Sequence, residues 1–233
     1  MKKNVVRIFV IAIVVVMSTS NVFAQVEINV GTDIVSRYLW RGSDFGQSPS
    51  IQPTLSLSFG SFEFGAWGAY QFGRDVSSPP ADEIDLFLGY SLELGESNLD
   101  FVLTNYYFPN AGIKLGNFND SSGAHIVELG GTFSFSNFYL SGFVNVHNDA
   151  DNSSYFEVGY LTSVKSVDLT AFVGASPGGV NLYYGNSNFN VINAGVTASK
   201  KIKITDDSSL PIFASYVINP NKEIAHIVLG ISL

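Results

Sequence analysis

Apolar and polar side chains alternate along nearly the whole chain after residue 25, and no stretch shows sustained amphipathic helical spacing. The first segment sets Val26, Ile28, Val30, Ile34, Tyr38 and Trp40 on one face against Glu27, Asn29, Asp33, Arg37 and Arg41 on the other. A second, near 51–59, opposes Ile51, Leu55, Leu57 and Phe59 to Gln52, Thr54, Ser56 and Ser58. Another, near 83–94, opposes Ile84, Leu86, Leu88, Tyr90, Leu92 and Leu94 to Glu83, Asp85, Ser91 and Glu93. Similar segments lie near 62–72, 98–107, 124–136, 138–147, 154–163, 166–175, 189–204, 210–218 and 223–233. The pattern predicts about twelve strands, an even number such as a single-chain bacterial barrel uses.

Alternation alone fits a soluble sandwich or a lipocalin-like barrel equally well, but the connection lengths separate these folds. Tiny turns at 60–61, 95–97, 136–137 and 165 alternate with long connections at 42–50, 73–82, 108–123 and 176–188. Short periplasmic turns and long extracellular loops give this asymmetry in outer-membrane barrels. The connections at 200–209 and 219–222 depart from it. Outward aromatics sort into two belts, with Tyr38, Trp40, Tyr70, Phe72, Tyr107, Phe156 and Tyr216 toward the outer rim. Phe59, Phe62, Phe133, Phe135 and Phe138 fall toward the inner rim, both at headgroup level. The last segment, apolar at Ala225, Ile227, Leu229, Ile231 and Leu233, is expected to pair with the first and abolish the sheet edges. The expected fold is all-β, a transmembrane antiparallel up-and-down β-barrel of about 12 strands over residues 25–233.

Residues 1–24 read differently. Lys2, Lys3 and Arg7 precede an unbroken apolar run at 8–17, and Val22-Phe23-Ala24 supplies small residues for cleavage after Ala24. Ten apolar residues are too few to cross ~30 Å of hydrocarbon as a helix, so the segment reads as a signal peptide. With the barrel, it places the protein in the cell outer membrane of a Gram-negative bacterium. Its removal leaves nine basic against twenty acidic side chains, a formal charge of −11. That sign disfavours nucleic acid and a polybasic membrane surface. The expected partners are outer-membrane lipid and small solutes or ions. There is no cysteine, so backbone pairing and packing must hold the fold.

A search for chemistry finds little. Of His125, His147 and His226, none sits in a His-x-Ser arrangement on one strand. His147 with Asp149, facing Glu83 and Asp85, is the best arrangement for activating a water. Asp149 belongs to an ordinary polar turn, however, so no enzyme is expected. Asp149, Asp151 and Asn152, or Asp206 and Asp207, fall short of a full calcium loop. They read as solvated turns, and no cofactor is expected. Alternation directs Arg37, Arg41, Glu83, Asp85, Glu128 and Glu157 inward in the outer half as expected pore-lining residues, the two arginines across from Glu83 and Asp85. Glu27, Glu63, Glu93 and Asp100 form a second acidic set near the periplasmic mouth. Such a lining predicts a narrow, cation-preferring diffusion channel for small solutes. Trp67, Phe87, Tyr106, Tyr139, Phe143 and Phe172 also point inward. They support the alternative, a non-conducting structural or surface-binding barrel.

Several motifs have a family look. Ser36-Arg37-Tyr38-Leu39-Trp40-Arg41-Gly42, Gln52-Pro53 and Gly65-Ala66-Trp67-Gly68 are followed by Glu83-Ile84-Asp85 with Gly89-Tyr90, then Asn105-Tyr106-Tyr107-Phe108-Pro109. Together they resemble the TorF-type porin family, earlier catalogued as Gcw_chp proteins of unknown function. The resemblance covers the first half of the mature chain by motif and the second half by strand pattern. It implies an outer-membrane barrel with a channel role, and it supplies neither substrate nor mechanism.

Overall fold

The computed structural model describes residues 26–73, 81–181 and 183–233. The expected signal peptide at 1–24 and most of the connection at 73–82 lie outside the described residues. The strands are β1 (Glu27–Val35), β2 (Tyr38–Trp40), β3 (Ser43–Phe45), β4 (Ser50–Phe59), β5 (Phe62–Gln71), β6 (Glu83–Leu94) and β7 (Ser97–Tyr107). They continue as β8 (His125–Phe135), β9 (Phe138–His147), β10 (Ser154–Val164), β11 (Val167–Ser176), β12 (Asn190–Lys203), β13 (Ser209–Asn219) and β14 (Ile224–Ser232). Twelve of these close an antiparallel up-and-down barrel, in which β1 lies between β4 and β14. β2 and β3 stand apart as a two-stranded hairpin.

Register follows the side-chain pattern, because a slip of one residue would turn every apolar group inward. Leu57 pairs with Ile28 and Phe64, and Leu88 with Phe64 and Leu103, all on the outer face. Aromatic pairs Phe62–Tyr90 and Phe138–Tyr160, with centroids 4.7 and 4.8 Å apart, band the short-turn rim. Closure with every ladder satisfied is one of the two ways a backbone can cross a bilayer.

The inner face follows a second rule. Inward glycines sit beside inward rings on the neighbouring strand: Gly65 with Phe87, Gly130 with Phe143, Gly159 with Tyr139, Gly195 with Phe172 and Gly230 with Phe213. A Cβ on any of these glycines would collide with its ring. The rings therefore lie back over the glycines, and the wall leaves room along the axis.

That room is filled from elsewhere. The first segment is not one straight strand to Arg41, because β1 ends at Val35 and the chain turns into the barrel. Tyr38 and Trp40 consequently do not belong to the outer belt; Tyr38 is only 6 % exposed and Trp40 packs on Tyr106 and Tyr184. The expected surface loop at 42–50 is likewise largely drawn inside, with Gly42 buried at its start and Ser48 and Ser50 at its end. Val35 and Ser50 are register partners, so the hairpin is an inward-folded insertion between two neighbouring strands.

Candidate functional site

The hairpin begins with its turn. Trp40 pairs with Ser43, leaving Arg41 and Gly42 as the two central residues, at φ 47° and 74°. Two successive positive φ values are the requirement of a type I′ turn, which matches strand twist. Glycine meets it freely, whereas arginine is uncommon there and must be held by its contacts. Gly42 packs against the backbone of Ile192 with no space for a Cβ, and its carbonyl accepts from Asn219 Nδ2 at 3.0 Å.

Those contacts are extensive. Arg41 Nη1 and Nη2 donate to the two carboxylate oxygens of Glu128 at 2.6 and 2.9 Å, with both side chains nearly excluded from solvent. Nη1 also donates to the Tyr184 hydroxyl at 2.6 Å, and Tyr106 donates to Glu128 at 2.8 Å. The guanidinium lies 4.5, 4.2 and 4.6 Å from the ring centres of Trp40, Phe143 and Tyr155. Planar bidentate pairing and aromatic stacking are what arginine offers and lysine does not. At the hairpin base, Tyr38 donates to Glu83 at 2.8 Å and its ring packs 5.4 Å from Trp67. Gln71 Nε2 donates to the Phe45 carbonyl at 2.9 Å.

The connection between β11 and β12 completes the closure. Asn186 donates to the carbonyls of Ser176 and Asn188, and the Asn181 amide donates to Asp151 at 2.6 Å. This frame delivers Tyr184, buried with Tyr155 and Ile192, against Trp40 and Tyr183. Burial holds the Tyr184 hydroxyl well above its usual range, so it stays protonated. Two ladder irregularities fall at the docking points, between Val127 and Glu128 and between Gly174 and Ala175. Bulges re-aim side chains in this way, here Glu128 and Asn145 on one side and Ile192 on the other. Beside the hairpin, against β12 to β14, a cavity of about 250 Å³ remains, lined by Gln52, Thr197, Phe213, Ser215 and Val228 among others.

The six residues singled out by alternation all belong to the outer half, but not as opposed rows. Arg41 meets Glu128 rather than Glu83 and Asp85. Arg37 pairs with Asp44 of its own hairpin and is half exposed at the wall. Glu83 and Asp85 lie buried at the hairpin base. Glu157 accepts from Tyr139 at 2.7 Å, from Tyr155, and from Asn193 at 3.0 Å. Alternation missed Tyr106, Tyr155, Tyr184 and Asn193 as partners, since they converge from remote strands and one loop. The Arg41-Gly42 dipeptide was the local signal for the turn.

His147 and Asp149 do not come together as a dyad; His147 Nδ1 lies 4.0 Å from Asp120. Burial works against the charged form of Asp149, but hydrogen bonds from Ser153, Asn145 and the Asp151 amide outweigh it and hold the carboxyl below the usual range. Asp206 pairs with Lys203 at 2.6 Å.

Comparison with known proteins now bears on the chain. The family described as bacterial protein of unknown function (Gcw_chp) matches residues 19–219. The chain belongs to the Gcw_chp family. No curated protein matches it. A chain solved in work on the mechanism of in-meso crystallization of membrane proteins is similar at 9 % identity and TM-score 0.48, over 88 % of this chain and 83 % of that one. OccAB3 of Acinetobacter baumannii is similar at 10 % identity and TM-score 0.40, over 91 % of this chain and 65 % of that one. The family's description assigns no activity, so function rests on the barrel and its hairpin.

Proposed function

We propose that this Gcw_chp barrel is an outer-membrane pore for small solutes, closed at rest by the β2–β3 hairpin and cation-preferring when the hairpin releases. One observation carries the reading. The lumen is occupied by an insertion that is no part of the barrel ladder, while the wall's own rings lie over glycines. The TorF-type resemblance and the long-loop asymmetry support the same orientation and role, with the hairpin at the extracellular end.

Cation preference follows from the open half. Register turns Glu27, Asp33, Glu63, Glu93, Asp100 and Asp168 inward there, against Lys201 and Lys203. An acidic excess in a confined aqueous space raises local cation concentration. The preference should weaken with salt, since the Debye length falls from ~10 Å at 0.1 M to ~3 Å at 1 M.

The second reading, a non-conducting barrel, is favoured by the depth of the Arg41 anchorage. Planar-bilayer recording separates the two. Wild type should show rare, brief openings, and Glu128→Gln, which unpairs Arg41, should show longer ones with a cation-selective reversal potential in a salt gradient. A correctly folded Glu128→Gln barrel that stays silent although its tryptophan emission shows the hairpin released would establish the non-conducting reading.

A further inference from the structure

The inward turn of the hairpin has an effect on the outside of the wall. β1 pairs with β14 at only three register positions, Asp33, Ile34 and Val35 with Ser232, Ile231 and Gly230, extended by the reciprocal backbone bonds of Thr32 and Leu233, whereas the other barrel ladders hold seven to eleven. Ser36 makes the last contact, its amide donating to the Leu229 carbonyl at 2.8 Å and its hydroxyl accepting from the Leu229 amide at 2.9 Å. Beyond that point β14 has no strand on this side among the described residues. A notch of about 440 Å³ opens there, lined by Arg37, Asp44, Lys222 and His226, with Ala225 and Ile227 on its membrane side.

The notch is cationic in an acidic protein. Arg37 is ion-paired to Asp44, whose carboxylate also lies 4.0 Å from His226 Nδ1. Lys222 reaches the same place, donating to the Ser43 hydroxyl at 3.2 Å. Two permanent cations thus face one carboxylate, and Glu223, next in the turn, is outside the lining.

Directly below, an apolar groove of about 580 Å³ follows the outside of the seam, lined by Ile34, Ala198, Ala214, Leu229 and Ile231. Small side chains make it: Ala198 pairs with Ala214, and Ala214 with Leu229. Notch and groove are continuous, because Ile227, Leu229 and Ile231 are successive outward residues of β14. Ile227 pairs with Tyr216, an exposed aromatic of the long-loop belt, so the notch stands at headgroup height and the groove within the acyl region.

We propose that this seam is a specific site for one outer-leaflet lipid bearing a phosphate headgroup. The phosphate is held by Arg37 and Lys222 in the notch, and an acyl chain fills the Ala198–Ala214 groove. Charge complementarity selects the anion, and charge-assisted donors to phosphate are strong hydrogen bonds. The groove selects a lipid over free phosphate, since only an amphiphile occupies both parts.

The test is native mass spectrometry of the intact barrel in non-ionic detergent, with dimyristoyl phosphatidylglycerol and dimyristoyl phosphatidylcholine as competing probes. One phosphatidylglycerol should be retained per barrel in preference to phosphatidylcholine. Lys222→Gln, at an exposed position, should reduce that preference about tenfold. Ala214→Phe, or Ala198→Leu if that variant folds poorly by heat-modifiable gel mobility, should reduce phosphatidylglycerol retention by filling the groove. Equal retention of both lipids overturns the proposal, as does phosphatidylglycerol binding unchanged by a filled groove. Inorganic phosphate that displaces phosphatidylglycerol at equal molarity would show a free-anion site and overturn it too. The readout involves no conductance, so its failure would leave the pore reading standing.

Discussion

At the residue scale, closure concentrates on one ion pair. Arg41 and Glu128 lie 87 residues apart in the chain and meet at 2.6 Å with little solvent access. Removing one member of such a pair strands the other, a loss of roughly 3–5 kcal/mol when nothing can relax. Here the hairpin can relax by leaving the lumen. Glu128→Gln is therefore expected to release it rather than unfold the barrel. Both tryptophans of the chain report on the hairpin, Trp67 packing on Tyr38 and Trp40 on Tyr184, so release should red-shift their emission while heat-modifiable mobility on gels is kept. An unshifted spectrum would mean that Glu128 does not hold the hairpin. A smaller case is Asp149. Its lowered carboxyl stabilises the 148–153 turn above the ordinary carboxylate range, and that contribution is lost as pH falls through the depressed value. The protection factor of the Ser153 amide, which donates to Asp149 at 2.9 Å, should fall on acidification, and Asp149→Asn should make it independent of pH.

At the element scale, glycines and rings act as matched pairs across strands. Gly65→Leu should push Phe87 off the wall and toward the axis, at a cost of about 1–3 kcal/mol from overpacking. Urea unfolding of the barrel in vesicles measures it, and a neutral result would show that Phe87 can lie elsewhere. Strand positions were legible because alternation and tiny turns are local. The segment expected near 83–94 is β6, Glu83–Leu94, and the turn at 60–61 joins Phe59 to its register partner Phe62. The hairpin was not legible, since alternation continues through Tyr38 and Trp40 whether they face lipid or lumen. What decides their place is the positive φ at Arg41 and a carboxylate on β8, and no local period encodes the second. Charge pairing failed for the same reason: facing residues in a barrel can come from any strand, and the bulge beside Glu128 re-aims it.

At the scale of the molecule, the apolar outer face and the loop asymmetry set how the barrel sits. Leu88, midway along β6 and outward, should cost about 2–4 kcal/mol when changed to Lys in a bilayer. Gly89→Lys, inward and with its nearest neighbour, Glu63 Cβ, at an ordinary contact distance of 3.6 Å, should cost far less by the same urea titration. Asn145 is not a comparable inward control, since it is fully buried and donates to Asp149. Cysteines at Ser121 and Val180, both exposed, should label on intact cells with an impermeant reagent, whereas those at Ser61 and Ser97 should not.

The central claim is that the hairpin holds the lumen closed, with the β11–β12 connection packed against it, and the topology permits a clean test of that. Val35 and Ser50 are register partners, so residues 36–49 can be replaced by a two-residue Asn-Gly turn without disturbing β1 or β4. The direct measurement is the conductance of that shortened barrel in a planar bilayer beside wild type. A steady, ungated conductance in the shortened barrel, absent or intermittent in wild type, is the predicted result. A folded, shortened barrel as silent as wild type would contradict the account.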